Sequence, residues 1–307
     1  MSRKRREYER RVNRVVDYIE RNPAQELSLE GLARLASFSP YHFHRVFRVV
    51  TGETLFGFSQ RLRIEKGART LIASRDKSVL ETAQACGFAS AATFARAFKA
   101  HFGMNATEWR AGGHRRWHVR IDRKPGNVLS KASKASRPGG GDTVGRAMID
   151  EGKIRIRKLP SYRVAYMRHV GPYGPKGIPQ LWRRLARWRI AQEFDGAAAI
   201  VLGVVYDDPR IAASHTCRYD ACVVVPRDFP GSEHVNVTCP ASGSYAVCEF
   251  NGTAADIPEA WDRTFGEWLP DSGFEPDDKP CIELFGSSVP DPPRSFSCEL
   301  CLPVRSL

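Results

Sequence analysis

The side chains best suited to chemistry fall into groups of different kind. Tyr41, His44, Arg45 and Arg48 recur at intervals of three and four residues, so on a helix they share one face. Thr93, Arg96 and Lys99 repeat that spacing about fifty residues later. Such a face suits a polyanion. Arginine forks onto guanine O6 and N7 with ~1–3 kcal/mol of discrimination, and lysine or arginine also neutralises phosphate. Glu283 belongs to a different chemistry. In the stretch KPCIELFG it is one step out of phase with Ile282 and Leu284, so on a strand it shares a face with Cys281 and Phe285. An unpaired carboxylate there is costly and demands a partner. A cationic or planar organic ligand would supply one through charge pairing and cation–π contact, and an ion pair with Arg168 would supply another. The rings in that half are Tyr166, Tyr173, Trp182, Trp188, Tyr206, Tyr219, Trp261 and Trp268, each open to a core or a pocket role.

Cys298-x-x-Cys301 and Asp207-Asp208 also invite a chemical reading. Residues three apart on a strand point to opposite faces, so the two thiols serve one metal poorly. A strand-ending turn accounts for the two aspartates before Pro209. RPGGG lacks the strand and helix that a phosphate-binding loop needs. No metal, cofactor or catalytic residue is therefore expected.

Short helices must carry the cationic faces. Ser39 suits an N-cap and Pro40 the first helical position, and Phe43, Val46, Phe47 and Val50 form the apolar stripe of the helix that follows. Before it, Leu29–Ala36 forms a short helix with Leu32, Ala33, Leu35 and Ala36 inward, and the turn through Ser37–Phe38 is tight. Two short helices so joined, the second basic on its free face, describe a helix-turn-helix. The motif then recurs. Ala33 and Phe38 return as Ala83 and Phe88; Phe43, Arg45, Phe47 and Gly52 return as Phe94, Arg96, Phe98 and Gly103. Between the copies, Glu53–Ala73 is periodic through Leu55, Phe58, Leu62, Leu71 and Ile72. A helical rod of that length spans ~30 Å, close to the ~34 Å between successive major-groove openings.

Charge supports that assignment. Residues 1–150 carry 29 Lys+Arg against 14 Asp+Glu, a net of +15, whereas residues 151–307 carry a net of −2. A cationic module joined to a near-neutral one favours nucleic acid over a membrane surface as partner. The sequence has no run of apolar residues long enough for a membrane span, and MSRKRREYERR lacks the apolar core of a signal peptide, so a cytoplasmic location is expected. The RKRR run reads as solvated charge or a basic arm, and the eight cysteines as buried thiols. Residues 114–148 are rich in Lys, Arg, Ser and Gly and read as a flexible basic tether, with a short ordered start at Trp117–Ile121.

From Gly152 the period changes. KIRIRKL and RVAYMRHVG alternate as strands, IPQLWRRLARWRIAQEF reads as a helix, and AIVLGVVYDD and CRYDACVVVP return to strand. SYAVCEFNG, the helix DIPEAWDRTFGEWL, CIELFGS and FSCELCLPV repeat the order. Ile178-Pro179-x-x-Trp182 recurs as Ile257-Pro258-x-x-Trp261. The fold class is thus two domains, an all-α double helix-turn-helix followed by an α+β domain with a duplicated strand-helix-strand-strand unit. The boundaries are 1–113 for the first domain, 114–150 for the linker and 151–307 for the second. A pseudo-twofold second domain leaves a groove between its helices, a frequent place for a ligand.

LSLEGLARLASFSPYHFHRVFRVVTGETLFGFSQRLR and TAQACGFASAATFARAFKAHFGMNATEWR, within residues 8–112, resemble the DNA-binding domain of AraC/XylS transcription regulators. That resemblance implies base contacts from Tyr41, His44 and Arg45 on the first recognition helix, and from Ala91, Ala92, Thr93 and Arg96 on the second. The two alanines shorten the polar reach of the second, and Ala106 stands where the family commonly has proline. Residues 152–307 resemble the GyrI-like small-molecule-binding domain through YMRHVGPYG, YDDP, CRYDACVVV, SYAVCEFNG, WLPDSGFEP, KPCIELFG and CLPV. The resemblance places the family's acidic effector-contacting residue on Glu283. Phe285 stands where tyrosine is common, and FNGTA replaces a second Gly-Pro-Tyr.

The expectation is a transcription regulator that binds double-stranded promoter DNA and answers to a small cationic or aromatic effector. Tyr41, His44, Arg45, Arg48, Thr93, Arg96 and Lys99 would meet DNA; Glu283, Tyr166, Trp182, Tyr219, Trp261, Trp268 and Phe285 would meet the ligand. Two routes from sensing to transcription stay open, ordering of the tether and a changed contact with RNA polymerase. The alternative is a hydrolase acting on a strained genotoxic molecule, with Glu283 as base.

Overall fold

The computed structural model describes residues 3–115 apart from 26 and 75, residue 117, and residues 154–306 apart from 175–176, 197–198, 241 and 288–293. The tether expected over 114–150 therefore lies almost wholly outside the described residues. Two compact units divide the chain, the first drawn from residues 1–119 and 232–236 and the second from residues 120–231 and 237–307.

The first unit is helical: α1 (Arg3–Arg21), α2 (Leu29–Leu35), α3 (Pro40–Thr51), α4 (Leu55–Ala73), α5 (Val79–Ala85), α6 (Ala91–Phe102) and the short α7 (Ala106–Glu108). The RKRR run forms the first turn of α1. Capping sets the boundaries. Ser28, Ser39, Thr54, Ser78, Ser90 and Asn105 each accept a backbone N–H at their helix N-terminus, and α3 and α6 end on Gly52 and Gly103 in the left-handed region. Val12, Val15, Val16 and Ile19 of α1 pack with Leu32, Ala33, Phe43, Phe47 and Phe58 in the first core. Phe94, Phe98, Phe102 and Trp109, all fully buried, anchor the second. Trp109 donates its indole N–H to the Ala68 carbonyl of α4 at 3.1 Å. Gly67 of α4 leaves room for the ring of Phe94, which a β-carbon there would meet at 2.7 Å.

Among the described residues the second unit is a nine-stranded, mainly antiparallel sheet with two longer helices. Its strands are β1 (Arg155–Leu159), β2 (Val164–Val170), β3 (Val201–Val205), β4 (Arg218–Val224), β5 (Asn236–Thr238), β6 (Gly243–Gly252), β7 (Phe274–Pro276), β8 (Cys281–Gly286) and β9 (Phe296–Ser306). The order is β1-β6-β9-β8-β3-β4-β2-β5, with β7 on β9. The helices are α8 (Ile178–Ala191) and α9 (Ile257–Arg263). The order reads as two copies of strand-helix-strand-strand, β2-α8-β3-β4 and β6-α9-β8-β9, meeting at the β3–β8 pair. At that seam Gly203 lies opposite Glu283, so the two residues occupy equivalent places about the pseudo-twofold.

The sequence reading needs correction in places. Strands β5 and β7 were not expected; at three residues each they are too short for an alternation signal. The helix expected over DIPEAWDRTFGEWL is regular only through Arg263 and widens at Thr264–Trp268. Thr264 bonds the Ala260 carbonyl with its hydroxyl at 2.9 Å, a side-chain bond of the kind that bends helices. The cysteines are all free thiols, but Cys239 is exposed.

Candidate functional site

On α3, Phe43 and Phe47 point into the core and leave Tyr41, His42, His44, Arg45, Arg48 and Val49 exposed. On α6, Phe94 and Phe98 play the same part and leave Ala92, Thr93, Ala95, Arg96, Lys99 and Ala100 exposed. The two exposed sets coincide when α3 is laid on α6. Arg45 falls on Arg96 and Arg48 on Lys99, while Tyr41, His44 and Val49 fall on alanines. The Arg45 guanidinium lies over the Tyr41 ring, 5.8 Å from its centroid, which holds it close to the helix. The Thr93 hydroxyl lies 2.9 Å from that of the cap residue Ser90. Of the residues expected to face DNA, Tyr41, His44, Arg45, Arg48, Ala92, Thr93, Arg96 and Lys99 are exposed, and Ala91 is half-buried. Val49 at 84 % and His42 join that face without having been expected on it; the same helical period would have included them.

The turns that aim these helices match as well. Phe38 N–H bonds the Ala33 carbonyl at 2.9 Å, and Phe88 N–H bonds Ala83 at 3.0 Å. The residue before each takes positive φ, Ser37 at 56° and Gly87 at 79°. A β-carbon at Gly87 would meet the Pro23 carbonyl oxygen at 2.7 Å, so glycine is needed there on two counts.

In the second unit the register divides the candidate ligand residues between the two faces of the sheet. His169, Tyr219, Gly203 and Glu283 share one face, because β2 pairs β4 at His169–Tyr219 and β3 pairs β8 at Gly203–Glu283. Tyr166 pairs with Cys222 and falls on the other face, in a core with Leu202, Val204 and Ile282. Arg168 lies there too, its guanidinium bound to Asp220 through two 2.7 Å hydrogen bonds. The ion-pair partner considered for Glu283 is thus committed elsewhere.

On the Glu283 face the Tyr219 hydroxyl donates to the carboxylate at 2.7 Å, and both side chains are buried. Burial pushes the Glu283 carboxyl above its ordinary range, against the opposing pull of hydrogen bonds from Tyr219 and the Trp261 indole. Burial likewise drives the Tyr219 phenol well up, and the adjacent carboxylate adds to it. Trp182 stands edge-on to Tyr219 at 6.2 Å and to Phe285 at 5.1 Å. The equivalent tryptophans of the duplicated units, Trp182 and Trp261, therefore converge on one tyrosine–glutamate pair. Trp268 packs a step away, stacked on Phe274 at 6.4 Å. Gly203 was missed by the sequence reading. A β-carbon there would fall on the Tyr219 hydroxyl and come within 3.1 Å of Glu283 Oε2. Its signal was a glycine inside an apolar strand, which marks a close approach.

The other chemical candidates are consumed by structure. Asp207 is buried and accepts from the Arg218 backbone N–H at 2.9 Å and from Nε at 2.7 Å. Asp208 pairs with Arg210 at 3.0 Å. Cys298 and Cys301 are buried on opposite faces, and burial raises the Cys301 thiol to about 12. Among the described residues no group of His, Cys, Asp and Glu could hold a metal ion. Nor is any helix among them long and apolar enough to cross a membrane.

Paired helix-turn-helix units with matched cationic faces, joined to a duplicated α/β unit with a buried carboxylate among rings, define a DNA-binding regulator with a small-molecule-binding domain. Residues 152–305 match the family profile described as the GyrI-like small molecule binding domain, and residues 32–112 match a helix-turn-helix domain profile of AraC type. The chain belongs to the GyrI-like family and carries an AraC-type helix-turn-helix domain ahead of it. It is 32 % identical over 155 residues to the SPbeta prophage-derived protein YosT of Bacillus subtilis, named for transcriptional regulation, which covers 50 % of this chain and 99 % of YosT. It is 30 % identical over 104 residues to the probable transcription factor PqrA of Proteus vulgaris, covering 33 % of this chain and 84 % of PqrA. Similarity to a DNA gyrase inhibitor of Erwinia billingiae is 28 % over 135 residues, covering 43 % of this chain and 84 % of the inhibitor.

Proposed function

We propose that the protein is a sequence-specific regulator whose helices α3 and α6 enter successive major grooves of promoter DNA, and whose GyrI-like domain senses a small cationic or aromatic molecule at Glu283. Tyr41, His44, Arg45, Thr93 and Arg96 read base edges, and Arg48 and Lys99 hold phosphate. The observation that carries the DNA half is the coincidence of the two exposed faces, arginine on arginine and arginine on lysine. For the ligand half it is Glu283, a buried carboxyl whose partners are the neutral donors Tyr219 and Trp261, so that a cation is the complement it would gain from a ligand. The domain boundaries are 1–113, 114–150 and 151–307, and the protein works in the cytoplasm. Ligand binding reaches transcription through the tether or through a changed contact with RNA polymerase, because an effector shifts only an equilibrium between states that it binds unequally.

Glu283 acts in this reading as a docking charge and not as a base, which the relatives named for transcription support. Incubating cationic aromatic compounds with the full chain while following tryptophan fluorescence and product formation separates the two roles. The expected result is saturable quenching that leaves the compound intact and weakens at least tenfold in Glu283→Gln. Turnover that disappears in Glu283→Gln would overturn the sensor reading.

A further inference from the structure

Helix α8 turns Pro179, Leu181, Trp182, Leu185, Trp188 and Arg189 inward. One of these is out of place. Trp182, Leu185 and Arg189 fall along one stripe that an amphipathic helix ordinarily fills with apolar side chains. Arg189 is 8 % exposed, and its Nη2 donates to the Ser287 carbonyl at 3.1 Å, just beyond the end of β8. Its Nε and Nη1 are also buried, and neither has a hydrogen-bond partner among the described residues. A desolvated guanidinium with idle donors is unfavourable, since its lost hydration is not replaced. The fold does not require the charge. Continuing the alignment of Ile178-Pro179-x-x-Trp182 with Ile257-Pro258-x-x-Trp261 sets Arg189 against Trp268 by sequence, or against Leu269 once the widened turn at Thr264–Trp268 is allowed for, an apolar residue in either register.

We propose that Arg189 is an oxyanion subsite of the effector domain, one that accepts the carboxylate of a small organic ligand through Nε and Nη1. A carboxylate matches the fork of a guanidinium bidentately, and the bond is strongest where water is excluded. Arg189 lies two helical turns beyond Trp182, ~10 Å along α8 from the ring that abuts the Tyr219–Glu283 pair. The ligand class this defines is zwitterionic, with an ammonium or other donor for Glu283 and a carboxylate for Arg189. The inference extends the ligand-sensing role proposed above, and its anionic pole is testable without the cationic one.

The full chain carrying 15N-labelled arginine reports directly on the site. The Arg189 Nε–Hε signal is identified by its disappearance in Arg189→Lys, and benzoate serves as the probe. Benzoate is expected to move that signal saturably, whereas sodium chloride at equal ionic strength leaves it in place. Arg189→Met is expected to melt at or above the wild-type temperature without benzoate, and to lose the rise in melting temperature that benzoate gives the wild type. A signal that benzoate does not move overturns the proposal, as does an undiminished benzoate-induced rise in Arg189→Met. Melting of Arg189→Met well below wild type in the absence of benzoate would assign Arg189 to structure instead. Benzyltrimethylammonium, read by tryptophan fluorescence in wild type and Glu283→Gln, tests the cationic pole separately, so failure of one pole is distinguished from failure of the other.

Discussion

The Glu283 carboxyl is held by neutral donors in a buried setting, and this has a consequence for pH. Its folded value lies above the ordinary 4.5, so between 4.5 and that raised value the folded chain binds more protons than the unfolded one. Its contribution to stability is complete below that window and is lost as pH rises through it. Replacing it with glutamine removes the titration. Thermal melts from pH 4 to pH 8 should therefore show Glu283→Gln gaining stability relative to wild type as pH rises; parallel curves would contradict the assignment. Glu283 itself was legible as a carboxylate out of phase on an apolar strand. Its partner was not, because Tyr219 lies 64 residues away on β4, two strands from β8, and reaches the carboxylate across Gly203 of β3. The same blindness to register left Tyr166 among the candidate rings and Gly203 outside them.

Elements were more legible than contacts. Serine before proline and glycine after a phenylalanine ladder marked both ends of α3, and the echo marked α6, because caps and helical period are local properties. Departures arose where tertiary pairing decides. Strand β5 forms by pairing with β2 at the edge of the sheet, and the turn after α9 widens where the Thr264 hydroxyl bonds back to Ala260. The turn between α5 and α6 gives the sharpest test at this scale. Alanine at Gly87 meets both a positive φ and the Pro23 backbone, so Gly87→Ala should cost ~1–3 kcal/mol of stability. Chemical denaturation measures this, and glycine at Ser37 should be tolerated, since the matching φ of 56° suits it. Equal loss from both substitutions would contradict the matched-turn description.

The whole molecule is built by duplication at two levels. Two helix-turn-helix copies flank a helix of 19 residues and give the chain two matched cationic helix faces. Each strand-helix-strand-strand unit supplies one tryptophan, and together the two copies gather Trp182 and Trp261 about the Tyr219–Glu283 pair. The concentration of charge in residues 1–150 implies steeply salt-dependent DNA binding, and Arg48→Ala or Lys99→Ala should weaken binding to every sequence alike, each lowering the salt slope by about 1. Footprinting of the full chain on a site obtained by selection from random duplex tests the central claim most directly. Two protected patches should appear about 10–10.5 base pairs apart, with Arg45→Ala relaxing sequence preference in one patch and Arg96→Ala in the other. A single patch, or loss of preference at the same bases from both substitutions, would contradict it.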